Sequence, residues 1–225
     1  MDENRLNAVT GEYSKRYQII LSRIWPTIGS NGFNEHNQTA NFLAAYEKIA
    51  NEYSEVTSTW YEFQIANGGR NNNRIDGMII NHTNKTVYLL EAKRFTENEI
   101  NDQRHKLGED VSRLVELDLE NRFNQNEVFI GESIQDYTVY GVILFDLWTY
   151  SQRHKFEKEA HSLWLRFCKN RDIALLSEFL FLKPETRNRI EAAKESFLAT
   201  IQEPKRYENC EYHLGVFAFQ YEQII

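Results

Sequence analysis

Cysteine is scarce: Cys168 and Cys210 are the only two in 225 residues. Their spacing builds neither a zinc site nor a disulfide framework, so a reducing cytoplasm is the expected location. No apolar run approaches the roughly 18 residues of a membrane span, and no membrane partner is expected. The opening Met1-Asp2-Glu3-Asn4-Arg5 lacks the basic start and apolar stretch of a signal peptide. None of His36, His82, His105, His154, His161 and His213 shows H-x-x-x-H spacing, which argues against a histidine metal centre. Neither a G-x-x-x-x-G-K-[ST] loop nor a G-x-S-x-G elbow occurs, which argues against P-loop ATPases and α/β-hydrolases. A basic surplus is missing too: 33 acidic residues against 26 basic ones give −7. That balance excludes a globally basic nucleic-acid binder but still permits a local basic surface.

What is present is enough apolar and aromatic residue for a folded core, in a length that suits one domain. Tyr13, Tyr17, Ile20, Leu21 and Ile24 recur at helical spacing over 13–25, and Pro26 is expected to end that helix. A better patterned helix covers about 35–53. Val56 to Ile65 reads as a strand, and Asn67 to Asn73 as a polar loop. Two strands follow, about 74–81 and 86–94, then a helix over about 97–121. Tyr137 to Trp148 is a nearly continuous apolar run, expected to be a strand buried on both faces. A helix with Trp164 and Phe167, a Leu-rich helix over 173–182 and a charged helix near 185–201 come next. Tyr212 to Tyr221 reads as a last strand. The order is mixed α/β.

The informative segment is Arg74-Ile75-Asp76-Gly77-Met78-Ile79-Ile80, a polar turn, then Val87-Tyr88-Leu89-Leu90-Glu91-Ala92-Lys93. If the loop is symmetric about Thr83-Asn84, Ile80 faces Val87, Met78 faces Leu89, and Asp76 faces Glu91. Alternation puts Glu91 and Lys93 on one face. A slip of one residue would undo this. Opposed carboxylates repel, and burial raises that cost. A bound cation removes the conflict, and Mg²⁺ prefers such oxygen ligands. A cation held there, with Lys93 beside it, is equipped to cleave a phosphodiester. The plainer reading is a solvated hairpin end with Lys93 paired to Glu91.

The helix over 35–53 adds a third carboxylate. At about 100° per residue, Glu35 shares the stripe of Thr39, Phe42, Tyr46 and Ile49. It therefore points toward the sheet from the first turn, where it also suits the helix dipole. A capping role is the alternative for Glu35, and Glu47 and Glu62 are alternative carboxylates.

These residues resemble the PD-(D/E)XK nuclease superfamily, the restriction endonuclease-like fold. The likeness covers roughly 30–150, and its sequence support is about five residues. Asp76 and Glu91 are 15 apart. Ile75 stands where the family's proline would be. The resemblance implies a core of helix, three-strand meander, helix and strand, with extra helices and a C-terminal strand. Residues 1–225 would form one domain: 1–30 an N-terminal helical extension, 31–150 the core, and 151–225 the C-terminal helices and strand. It implies catalysis by Asp76, Glu91 and Lys93, with Asp76, Glu91 and Glu35 holding Mg²⁺, for which Mn²⁺ would substitute. Gln103 stands where related nucleases often carry a glutamine.

Arg70 and Arg74 frame the Gly-rich loop that enters the Asp76 strand, and Arg94 follows Lys93. With Gln103 they are the expected substrate contacts. Arg104, His105 and Lys106 also flank the site. A second basic region runs from Arg153 to Arg171. The expected activity is Mg²⁺-dependent hydrolysis of DNA, by an endonuclease rather than an exonuclease, in bacterial or phage restriction, defence or repair. A homodimer would cut both strands with two sites about a two-fold axis. The other expectation is an inactive nuclease-like fold that binds DNA or protein.

Overall fold

The computed structural model describes residues 3–23, 34–64, 74–95, 100–124, 129, 131–150, 162–163, 166, 173–191, 195–201 and 210–221. In chain order these form α1 (Glu3–Arg23), α2 (Glu35–Glu52), β1 (Thr57–Gln64), β2 (Arg74–Asn81), β3 (Thr86–Phe95), α3 (Ile100–Val115) and α4 (Leu119–Asn124). A 3₁₀ turn at Ile134–Asp136 leads into β4 (Thr138–Tyr150), then α5 (Ile173–Phe179), α6 (Pro184–Glu191), β5 (Glu195–Ile201) and β6 (Cys210–Gln220). Pro26, Arg70 with its Gly/Asn loop, Trp164 and Phe167 lie outside the described residues. So does most of the basic region between Arg153 and Arg171. No described helix is long and apolar enough to cross a membrane.

The strands make one six-stranded mixed sheet in the order β1-β2-β3-β4-β6-β5. Only β3 and β4 run parallel. The helices α3 and α4 between them supply the crossover that parallel neighbours require. Helices cover both faces. On one side α1 and α2 pack against Ile79, Tyr88, Leu90, Val142, Leu144, Leu214 and Val216. On the other, α3 and α5 pack against Met78, Ile80, Val87, Leu89, Ile143 and Phe217. Burying each large side chain contributes about 1.5–3 kcal/mol.

Local sequence explains the helices nearest the site. Asn34 caps α2, its side chain accepting from Asn37 N at 2.9 Å. The predicted apolar stripe of α2 is buried: Phe42, Leu43, Ala45, Tyr46, Ile49 and Ala50. α1 presents Leu6, Val9, Tyr13, Tyr17 and Leu21, spaced three or four apart, and all are buried. It begins ten residues before the expected 13, because the stripe extends back to Leu6.

Two expectations need correction. The helix over 97–121 is two helices, α3 and α4, with a break between Val115 and Leu119. The charged helix near 185–201 ends at Glu191, and Glu195–Ile201 is an edge strand paired with β6 from Ile201↔Tyr212 to Glu195↔Ala218. The short run Ser196-Phe197-Leu198-Ala199-Thr200-Ile201 carries no helical stripe of its own. Pairing to a buried neighbour decides its state.

Two glycines on β4 and β6 lie beneath rings of the neighbouring strand. Gly141 pairs with Phe219 and Gly215 with Phe145. A Cβ on Gly215 would lie 2.1 Å from the Phe145 ring. Phe145 is itself buried and packed on Phe95. Gly215→Ala is therefore expected to cost about 1–3 kcal/mol in urea denaturation. Gly11→Ala, in open space on α1, is expected to be neutral or to stabilise by up to about 1 kcal/mol. Equal effects at the two positions would contradict this packing.

Candidate active site

The β2–β3 hairpin has the register expected from the sequence. Ile80 pairs with Val87 and Met78 with Leu89, around a turn at His82–Lys85. Asn81 locks that turn. Its Oδ1 accepts from Asn84 N at 3.0 Å, and its buried Nδ2 donates to Glu55 Oε2 at 2.8 Å and Tyr46 OH at 3.1 Å. Lys85 closes the turn in the left-handed region, with φ of 52°.

The ladder stops at Gly77↔Leu90. Asp76 and Glu91 come next in the same register, but their backbones do not pair. On its other edge β2 also passes over Asp76, because the β1 ladder skips from Tyr61↔Gly77 to Phe63↔Ile75. The skipped β1 residue, Glu62, has φ of 48°, which marks a kink. Beyond Leu90, β3 continues beside β4 alone, and the freed Ala92 N–H donates to Asp76 Oδ2 at 2.7 Å. The carboxylate thus completes the sheet that its own backbone has left.

Around this opening four carboxylates meet two cations. Lys93 Nζ lies 3.0 Å from Glu35 Oε1 and 3.6 Å from Asp110 Oδ2. Arg113 Nη2 lies 2.5 Å from Glu91 Oε1 and 3.2 Å from Asp110 Oδ1. Glu91 is only 3% exposed. Burial pushes its carboxyl well above the usual range; Arg113 pulls it back, and Asp76 and Asp110 push it further up. Asp76 is raised by burial, lowered by the Ala92 N–H, and raised again by Glu35. Asp110 is raised by burial against the pull of Lys93 and Arg113. For Lys93, burial pulls downward, but Glu35, Asp110 and Asp76 together outweigh it and hold the ammonium above its usual value. Arg113 follows the same pattern, burial opposed by Glu91 and Asp110.

The trio and Glu35 therefore come together as expected, with Asp110 and Arg113 added by α3. Sequence reasoning missed both. Asp110 lies at the edge of the α3 stripe of Leu107, Val111 and Leu114, whereas Arg113 lies on the outer side of that helix, so the angular argument that found Glu35 does not reach it. The alternative carboxylates are engaged elsewhere: Glu47 accepts from Thr59, and the exposed Glu62 pairs with Arg74. Gln103 is half-buried on α3. Arg104 is buried, its guanidinium lying 4.1 Å from the centre of the Phe181 ring, which makes it a packing residue. Arg94 sits on the opposite face of β3 from Lys93, where it lowers the carboxyl of Asp146.

Asp146 is the other residue missed. It interrupts the apolar β4 run and is fully buried. Gln38 Nε2 donates to its Oδ1 at 2.9 Å, and Tyr212 OH donates to its Oδ2 at 2.7 Å. The same Gln38 amide donates to the Lys93 carbonyl at 3.2 Å. A network behind β3 thus ties the backbone of Lys93 to α2, whose first turn carries Glu35.

No known protein family, curated protein or solved structure matches this chain. Among the described residues, no three histidine, cysteine or acidic side chains converge as they stand on a point that would hold a metal ion.

Burial pushes Asp146 up to about 7, partly offset by the Tyr212 hydroxyl and by Arg94. Between the unfolded value, about 3.9, and that folded value, the folded protein holds a proton that the unfolded chain has lost. Stability therefore falls as pH rises through this window and stays lower above it. Asp146→Asn keeps both hydrogen bonds, since Oδ1 still accepts from Gln38 and Nδ2 donates to the Tyr212 oxygen. The variant is expected to gain on wild type by on the order of 2 kcal/mol between about pH 5 and about pH 8. Thermal unfolding at the two pH values checks this, and a pH-independent difference would refute it.

Proposed function

We propose that this chain is a divalent-cation-dependent nuclease with a restriction endonuclease-like core, acting on DNA. The order α2, β1-β2-β3, α3, β4 is compatible with that core. The observation that carries the reading is the charge balance at the splayed hairpin end. Glu35, Asp76, Glu91 and Asp110 bring four negative charges against two positive ones from Lys93 and Arg113, which leaves an excess of two. Three of those carboxyls are raised by their burial. One divalent cation would balance the cluster, and hard oxygen donors suit Mg²⁺, with Mn²⁺ as substitute.

Asp76, Glu91 and Glu35 would hold the cation. When bound, it supplies Lewis acidity toward the phosphate and the attacking water. Lys93 is held protonated by its acidic neighbours, so it serves as a donor. It orients the water and offsets charge on the phosphate, and it does not act as the base. Asp76 is fixed by the Ala92 N–H, and Lys93 by the Gln38 bond to its carbonyl. Two copies about a two-fold axis would cut both strands, in restriction, defence or repair. The closed ion pairs at Arg113 favour a second reading, an inactive nuclease-like fold that binds DNA or protein.

Cleavage of plasmid, linear and single-stranded DNA with Mg²⁺ tests the first reading. Asp76→Ala, Glu91→Ala and Lys93→Ala are each expected to lower the rate by at least about a hundredfold, with the fold retained. Glu35→Ala is expected to lose less, in a manner that extra metal restores. Full activity in any two of the first three variants would sink the assignment. Mn²⁺ binding that is lost in Asp76→Ala separates this reading from the binding module, which would show none.

A further inference from the structure

Arg113 occupies the position that matters most if the acidic cluster is to take up a cation. Its guanidinium bonds Glu91, the most buried of the four carboxylates, and reaches Asp110 as well. Unlike its partner it is not enclosed: the Arg113 side chain is 38% exposed against 4% for Glu91. Arg113 also lines an open groove of about 680 Å³ along the outer side of α3. Arg122 and Lys183 also line that groove, as do Glu109, Glu116 and Asp118. The guanidinium is thus in the site while the residue also borders an open groove. The side chain has room to leave Glu91 without disturbing the core.

We propose that Arg113 is a latch on the cation site. This rests on the nuclease reading above. With the latch closed, the guanidinium neutralises Glu91 and stands where a cation would bind it, so cation and arginine compete for one carboxylate. A phosphodiester strand lying in the groove offers the guanidinium another partner. Arginine binds phosphate oxygens at least as readily as it binds a carboxylate. The strand draws Arg113 away from Glu91, with Arg122 and Lys183 as further phosphate contacts. Glu91 is then left buried and unpaired, which is costly until a cation replaces the lost charge. Strand and cation therefore favour each other's binding, and by linkage each raises the other's affinity by the same factor. Arg113 acts through Glu91 and is a positioning residue. It weakens cation binding at the site until substrate arrives.

The test measures Mn²⁺ affinity by calorimetry on the full chain, with and without a duplex DNA oligomer, using Ca²⁺-free buffer and a DNA arm run too briefly for cleavage. In wild type the oligomer is expected to tighten Mn²⁺ binding by about tenfold or more. Arg113→Gln is expected to bind Mn²⁺ about tenfold more tightly than wild type without DNA, and to gain less from DNA. Arg113→Lys keeps the charge and is expected to return toward the wild-type values, which a merely structural role for the arginine would not explain. Unchanged or weaker Mn²⁺ binding in Arg113→Gln overturns the latch. If that variant does not fold, the wild-type arm decides alone, and Mn²⁺ binding unaffected by DNA overturns it. Failure of the nuclease reading looks different: neither wild type nor Arg113→Gln would bind Mn²⁺ in a manner that Asp76→Ala abolishes.

Discussion

The buried side chain of Asn81 sets the register on which the whole site depends. It holds the His82–Lys85 turn from within and ties it to Tyr46 within α2 and to Glu55 just beyond that helix. A turn fixed at both ends cannot slide by one residue. Because it cannot slide, Met78, Ile80, Val87 and Leu89 all enter one core, and Glu91 and Lys93 follow them onto the same face. The hairpin then opens at Asp76, opposite the kink of β1 at Glu62. The opening is satisfied internally, since Asp76 takes the Ala92 N–H. A polar mouth is thereby opened in a sheet that is otherwise held by its own ladder.

Four acidic groups at that mouth would repel one another if the chain supplied no cations. Lys93 and Arg113 answer part of that repulsion, and they do so differently. Lys93 rises from the sheet between α2 and α3, with Glu35 on one side and Asp110 on the other. Arg113 comes from α3 and reaches inward to Glu91 from the border of an open groove. The lysine is therefore a fixed component of the cluster, whereas the arginine is attached at one end only. Burial first, and repulsion between neighbouring carboxylates after it, push Asp76, Glu91 and Asp110 above their ordinary range, a common property of sites that bind or react.

Much of this was legible in the sequence, and the misses share one cause. The hairpin register followed from alternation and from the turn residues. The inward face of α2, including Glu35, followed from angular position. Asp110 lies at the edge of the α3 stripe and Arg113 on the outer side of that helix, where a polar residue ordinarily faces solvent; only their contacts with Lys93 and Glu91 on β3 draw them into the site. Asp146 was hidden in the opposite way, by an apolar run that read as core. A lone carboxylate in such a run carries its own signal, because it cannot be buried without partners. Its partners, Gln38 and Tyr212, are 108 and 66 residues away, so no local pattern connects them. The strand Glu195–Ile201 was missed because its state is decided by β6, which lies after it in the chain.

The two sides of β3 then have different mechanical characters. On the α2 side, Gln38 joins the Lys93 carbonyl to Asp146, and Tyr212 closes the network within a region that water does not reach. Such an interior network resists small displacements, since a shift breaks bonds of buried groups that water cannot replace. On the α3 side, the contact to Glu91 comes from a half-exposed arginine that borders an open groove. Moving that side chain exchanges one set of charged partners for another and leaves the core packing alone. A lysine and a carboxylate held from behind, with an adjustable counter-charge in front, is an arrangement in which the reacting geometry need not change when the site opens.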